Sequence, residues 1–301
     1  MQQISEWLLT SNHMAIMVTG LIGGFAFIYI IYNAISYAIL RERYHGIRFT
    51  TKNIAYITMF TAVSVSVTVV VSMTVPITVF PPIRIAIEGV MVKITGFMFG
   101  PIVGLLVGLI TEGLTMLFVP SFIHPAFIIC ICAFGFISGI GSSFNRISGS
   151  KRNILLILIN LFVTLFGIFI YVIYAYWRPV NNQVSILGIV MSKEIYMWFF
   201  IATLILTLLI VWITYFSLIK NHAKMLDELL PVMLIAITCE YLATTLISAW
   251  GDGEFLGIPS TEGYSTMVAI RLVQAPLKII FNSFVLYFSY KAVKPLIKKD
   301  R

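Results

Sequence analysis

Charge is scarce in this chain. Only 11% of its 301 residues are Asp, Glu, Lys or Arg, and 59% are hydrophobic; soluble domains hold about 25% and about 45–50% respectively. A soluble fold of this length has no interior large enough for that much apolar side chain. The scarcity excludes a cytosolic enzyme, a nucleic-acid-binding domain and a disordered chain. It leaves an integral membrane protein, and the mean hydropathy of +0.99 agrees. Cysteine is equally sparse. Cys130 and Cys132 stand two apart on an apolar helix and so point to different faces, and Cys239 is alone. That spacing fits neither a metal site nor a disulfide framework. His13, His45 and His222 fall near span ends or in loops, with His124 at a membrane boundary. There is no Gly-Lys-Ser/Thr phosphate loop, no His-Glu-x-x-His and no Gly-x-Ser-x-Gly. These absences speak against nucleotide hydrolysis, metalloprotease chemistry and a serine nucleophile in this chain. The expectation is a non-enzyme without cofactor or metal.

What is present is long apolar runs. A membrane helix needs about 20 apolar residues, and hydrophobic segments occupy 14–40, 53–75, 87–99, 101–118, 124–144, 153–177, 196–219, 230–250 and 267–290. The third and fourth are short and separated only by Gly100-Pro101, as in a tight helical hairpin or a broken element. The first lacks a basic leader and is too long for a signal core, so it reads as a true span. Basic residues orient the chain. Arg41, Arg43, Arg48, Lys52, Arg146, Lys151, Arg152, Lys220, Lys224, Lys291, Lys294, Lys298, Lys299 and Arg301 fall on one side if the N-terminus is outside and the C-terminus cytoplasmic. The other side receives only Arg84, Arg178 and Lys193. This split predicts nine crossings and explains most of the net charge of +8: the tail is a cytoplasmic anchor.

Ionisable residues inside spans are costly, about 2.5–3.5 kcal/mol each on insertion scales, and are functional candidates for that reason. Five stand out: Lys93, Glu112, Glu240, Arg271 and Lys278, with Glu88 at a span's outer edge. In the last span Arg271, Gln274, Lys278 and Asn282 are spaced +3, +4, +4, which places them on one helical face. Two cations and two amides on one stripe suit an anionic solute. The alternative is that Arg271 snorkels outward while Lys278 pairs with Glu112 or Glu240. Pro276 is expected to kink this helix. Glu112 is either a partner for Lys93 or a cavity-lining acceptor, and Glu240 reads chiefly as one half of a structural pair. The glycine-rich, acidic stretch from Gly251 to Pro259 reads as an outer loop, a connector or a lid. Trp177 and Trp250 sit near outer boundaries, either as interfacial belt residues or, for Trp250, as a stacking surface for a substrate ring. Thr58, Ala62 and Ser66 are small residues at four-residue intervals, where another helix approaches closely.

The run Gly96-Phe97-Met98-Phe99-Gly100-Pro101-Ile102-Val103-Gly104-Leu105-Leu106-Val107-Gly108-Leu109-Ile110-Thr111-Glu112 resembles the GxxFGPxxGxLVGxIxD run of substrate-binding S components of energy-coupling factor (ECF) vitamin transporters, with Glu112 where Asp is common. Arg271-Leu272-Val273-Gln274-Ala275-Pro276-Leu277-Lys278 is similar to the RLxKAPI segment of folate-type members, with Gln274 in place of the pattern's Lys. The family's first helix docks on the coupling subunit through Ala-x-x-x-Ala motifs; Thr58, Ala62 and Ser66 are the nearest match here.

The resemblance covers about 53–144 and 228–290 and implies an all-α polytopic membrane helix bundle: a six-helix S-component-like core plus three extra transmembrane helices. It divides the chain into an added N-terminal helix and basic loop (1–52), the first part of the core (53–144), an inserted helix pair (145–227) and the last two core helices with the basic tail (228–301). It implies a prokaryotic plasma-membrane protein that binds a small vitamin from outside, with loops 76–88 and 251–266 covering the cavity. An ECF transmembrane coupling subunit and two ATP-binding subunits would be its partners, ATP hydrolysis in them driving the S component to topple in the bilayer. Arg271, Lys278, Gln274, Asn282, Glu112, Trp250, Glu88 and Lys93 are the expected substrate-binding residues. The two cations put folate first, pantothenate next and riboflavin last. The competing reading is a self-sufficient secondary transporter with Glu112 and Glu240 as ion or proton sites; no inverted repeat supports it. An intramembrane lipid enzyme lacks an acid/base or nucleophile pair.

Overall fold

The computed structural model describes residues 2–10, 12–40, 51–74, 81–119, 123–144, 152–177, 183–186, 189–220, 222–257 and 260–298. Among them, seven helices are long and apolar enough to cross a membrane, and two shorter apolar helices cover Gly89–Phe99 and Pro125–Gly141. Among the described residues the regular structure is helical but for one small antiparallel hairpin, β1 (Gln183–Ile186) and β2 (Ile189–Ser192), with Gln183 opposite Ser192. Arg41, Arg43, Arg48, Arg146, Lys151, Arg178, Lys299 and Arg301, all used above to orient the chain, lie outside the described residues, as do the side chains of Arg84, Glu88, Lys294 and Lys298. The chain forms two compact units, residues 16–142 on the one hand and 1–15 with 143–301 on the other.

The unit of residues 16–142 holds most of α2 (His13–Leu40), α3 (Thr51–Thr74), α4 (Pro81–Phe99), α5 (Pro101–Phe118) and nearly all of α6 (Pro125–Phe144). Gly100 separates α4 from α5. Its φ of 96° is one that L side chains rarely adopt, and Pro101 then starts α5 at a position where its missing N–H costs nothing. The two helices pack on each other and both pack on α3. Glycines let α6 reach their backbones. A Cβ on Gly96 or Gly104 would lie 2.2 or 2.3 Å from the Gly135 carbonyl oxygen, and one on Gly139 would lie 2.2 Å from Pro101. The glycines of the GxxFGPxxG run are therefore contact points between backbones, the arrangement small residues permit in membranes. Thr111 donates to Ser64 at 3.2 Å, and the rings of Phe60 and Phe99 meet edge-on at 5.8 Å. Since α4 begins at Pro81, the loop expected over 76–88 is helical from that residue on, and residues 76–80 lie outside the described residues.

The other unit contains α1 (Gln2–Thr10), α7 (Arg152–Tyr176), the hairpin, α8 (Lys193–Ile219), α9 (Ala223–Thr238), a π-helical segment (Cys239–Ile247), α10 (Ser248–Phe255) and α11 (Ser260–Lys298). The first of these has no counterpart in the spans read from sequence. It packs on α7 and α11, burying Leu8, Leu9 and Ser5, whose hydroxyl donates to the Ile173 carbonyl. Helix α9 is buried along Leu229–Ile237 without a polar face, as befits a helix enclosed by α7, α8 and α11. Trp177 is 5% exposed and meets Tyr174 edge-on at 5.6 Å. It is a packing residue here and not a member of an interfacial belt. Lys193, read as a loop cation, instead donates to the Ala175 carbonyl at 2.8 Å and to that of Trp177, capping the C-terminal end of α7.

Candidate functional site

The largest concentration of buried charge lies where α11 faces the run of α9, π segment and α10, which is helical without interruption over Ala223–Phe255. The spacing of Arg271, Gln274, Lys278 and Asn282 along α11 puts them on one stripe, and α11 continues through Pro276 to Lys298. Arg271 is 0% exposed and Asp252 1%. Arg271 Nε donates to Asp252 Oδ2 at 2.8 Å, Nη2 donates to the same oxygen, and Nη1 donates to the Thr244 carbonyl at 2.9 Å. Seven residues along, Lys278 Nζ lies 3.4 Å from Glu240 Oε1, and both side chains are buried.

These two pairs differ in quality. The guanidinium is held by charge-assisted hydrogen bonds from two of its nitrogens. The ammonium and carboxylate of the second pair are close, but neither Lys278 Nζ nor either Glu240 carboxylate oxygen has a hydrogen-bond partner; the same holds for Gln274 Oε1, one turn away. Buried polar atoms almost always find partners, so unmet hydrogen-bonding capacity runs along the seam, at Glu240, Gln274 and Lys278 and also at Asp252 Oδ1 and Ser248 Oγ. Asn282 is buried on the same stripe. In charge the seam is neutral: Arg271 and Lys278 are balanced by Asp252 and Glu240.

Aromatic side chains fix the surroundings. The hydroxyl of Tyr264 donates to the Leu246 carbonyl at 2.9 Å, and that of Tyr196 to the Ser265 carbonyl at 2.9 Å. Tyr241 stacks on Phe166 with ring centroids 4.7 Å apart, its hydroxyl 2.6 Å from that of Thr207. Trp250 is half-buried and donates from Nε1 to Glu254 Oε1 at 2.6 Å.

Asp252 is the residue the sequence reading missed. Gly251-Asp252-Gly253 reads as a turn, and the stretch 251–266 was expected to be a loop or lid. Instead residues up to Phe255 are helical, as are those from Ser260 on. Gly251 and Gly253 are buried; a Cβ on Gly253 would sit 3.6 Å from Gly263, in ordinary contact. Small side chains here allow α10 to lie against α11, and the acid on that face meets Arg271. An acid near the end of the outgoing helix of a long hairpin, opposite a cation in the first part of the returning helix, is the signal that was available.

Lys93 and Glu112 belong to the other unit. Lys93 is fully buried with Nζ 4.1 Å from the centroid of the Phe134 ring, a cation–π contact, and Phe134 lies against Gly89. Glu112 is half-buried on α5, beside Thr111. The side chain of Glu88 is outside the described residues. Thr58, Ala62 and Ser66 line an exposed stripe of α3, where the hydroxyls of Thr58 and Ser66 bond only their own helix's carbonyls, at 2.5 and 2.9 Å. Among the described residues no three His, Cys, Asp or Glu side chains are placed to hold a metal ion.

A family model described as "ECF-type riboflavin transporter, S component" matches residues 48–224. The matched stretch starts just before α3 and runs through α8. It includes the pair α7 and α8, set apart above as an insertion, and ends in the first residues of α9. No curated protein and no solved structure matches the chain significantly.

Proposed function

This chain belongs to the family of ECF-type riboflavin transporter S components, a vitamin-type substrate-binding subunit and not an enzyme, and on that premise we propose which vitamin it takes and how. The substrate is an uncharged, ring-bearing vitamin of the riboflavin class. The observation that supports this is the neutrality of the α11 seam. By sequence, folate ranks first on the RLxKAPI-like segment and on two buried cations that call for an anion, and pantothenate follows on the cations. Asp252 and Glu240 already supply two negative charges, so an anionic vitamin would enter a site with no net charge to offset its dehydration. A neutral ring system with hydrogen-bonding edges suits it better.

Within the stripe, Lys278, Gln274 and Asn282 are the ligand-contacting residues, and Arg271 positions α10 against α11 through Asp252. The unmet hydrogen-bonding capacity at Lys278 and Gln274 supports that division. Trp250, beside the seam, is a secondary candidate for the same ligand; Glu88, Lys93 and Glu112, inside the matched stretch, are binding candidates within the unit of residues 16–142. The chain crosses the prokaryotic plasma membrane nine times with its N-terminus outside and its C-terminus cytoplasmic, and works with an ECF coupling subunit and two ATP-binding subunits.

Reconstituted vesicles test the division of labour. The chain alone is expected to bind vitamin without accumulating it, and to accumulate it with ATP once the coupling and ATP-binding subunits are present. Gradient-driven accumulation by the chain alone would overturn this in favour of a secondary transporter. The exposed α3 stripe is the proposed docking face. Ala62→Phe is expected to lower coupled uptake at least tenfold and to leave vitamin affinity within twofold. Unchanged uptake would remove α3 from the docking surface.

A further inference from the structure

The π segment Cys239–Ile247 carries Glu240 in its first turn and leads into α10, which carries Asp252, and among the described residues this conformation occurs nowhere else. Its consequence can be worked out from helix geometry. Glu240 and Asp252 are twelve residues apart. In a regular α-helix of 3.6 residues per turn, twelve residues leave the second side chain about 120° around the axis from the first, whereas eleven leave it only about 20° away. Both acids nevertheless meet cations on the same face of α11. The wider π turns, closed by i→i+5 hydrogen bonds, absorb one residue and bring Asp252 back onto the face that Glu240 occupies.

The extra residue is held in place by side-chain contacts. Thr245 Oγ1 donates to the Glu240 carbonyl, five residues back, at 2.8 Å. Arg271 holds both sides of the arrangement, through Asp252 beyond the π segment and the Thr244 carbonyl inside it. If the π segment rewound as α-helix with its length unchanged, everything after it would turn by about a third of a turn. Asp252 would leave Arg271, and Gly251, eleven residues from Glu240, would take its place.

We propose that the π segment is a register switch: α10 has two rotational settings about its axis, and the Arg271–Asp252 pair holds the one seen here. The second setting leaves the guanidinium without its carboxylate and moves Trp250 and Glu254 together with α10. The proposal does not depend on which vitamin binds.

The test is ¹⁹F NMR of the full chain labelled with 5-fluorotryptophan, with the Trp250 line assigned by its loss in Trp250→Phe. In the native chain the second setting is a minor state, populated at about 0.1–10% and exchanging in microseconds to milliseconds. Asp252→Asn removes the charge that holds the present register. It is expected to raise the minor population at least tenfold, read as a second Trp250 line or as increased relaxation dispersion. Deleting Ala243 from the Asp252→Asn chain takes out the extra residue and is expected to abolish that exchange. A single Trp250 line with flat dispersion in Asp252→Asn would overturn the proposal. So would equal exchange with and without Ala243. If the deletion chain does not fold, the comparison of native with Asp252→Asn still decides.

Discussion

Asp252→Ala is expected to destabilise the protein by about 3–5 kcal/mol, the cost of leaving a buried charge without its partner. Arg271 is wholly enclosed, and three of its five N–H groups are committed to Asp252 and Thr244. It has no path to water along its own stem. Arg271→Met alone should cost a comparable amount, because it strands the carboxylate. The double variant Arg271→Met with Asp252→Ala should regain most of the loss, since apolar replacement of both partners of a buried pair is often close to neutral. Unfolding of the four proteins in detergent, followed by helical content during titration with a denaturing surfactant, gives the coupling directly. The double variant also separates two roles for Arg271. As a positioning residue acting through Asp252, it adds no further loss of vitamin affinity in the double variant beyond that of Asp252→Ala alone. As a ligand contact it does.

The second large effect concerns the other unit. Gly135→Ala should prevent residues 16–142 from reaching the native packing. The added methyl would lie 2.0 Å from the Gly104 carbonyl oxygen and 2.3 Å from its carbonyl carbon. Both obstacles are backbone, so neither can swing aside as a side chain would. Overpacking of side chains typically costs about 1–3 kcal/mol, and a clash between two helix backbones should lie above that range. Gly113→Ala is the control. It sits on α5 with nothing within 4 Å of the added carbon, so the same change should be neutral or stabilise by about 0.5–1 kcal/mol through the lower flexibility of the unfolded chain. Yield of monodisperse protein in detergent, followed by the same unfolding titration, distinguishes the two. Equal behaviour of Gly135→Ala and Gly113→Ala would show that α6 does not approach α4 and α5 as described.

Much of this architecture is legible in the residues. The apolar runs mark the helices, because in lipid every backbone polar group must be satisfied within its own segment. Gly100-Pro101 marks the break between α4 and α5 through conformational preferences that act locally. The stripe of Arg271, Gln274, Lys278 and Asn282 follows from helical periodicity alone, and Glu240 as a structural partner of Lys278 was among the pairings read from charge. What escaped depends on the partner chain segment. Asp252 sits between two glycines, and glycine in isolation signals a turn; only the close face of α11 makes a helix with small residues favourable there. The π segment Cys239–Ile247 has no composition of its own, since its residues are ordinary helix and strand formers. It is dictated by the need to bring two acids twelve residues apart onto one face. The helix α1 is too short and too polar to register as a span, and its stability comes from packing Leu8 and Leu9 against α7 and α11.

The choice of vitamin turned on the same missing residue. Two cations counted without their counterions ask for an anion; counted with Asp252 and Glu240 they do not. Equilibrium binding to the purified chain in detergent, followed by quenching of flavin fluorescence, is the most direct measurement of that difference. Saturable one-to-one binding of riboflavin, undisturbed by a hundredfold excess of folate or pantothenate, is the expected result. Displacement of riboflavin by either anionic vitamin, or tight binding of one of them where riboflavin does not bind, would contradict a charge-neutral site.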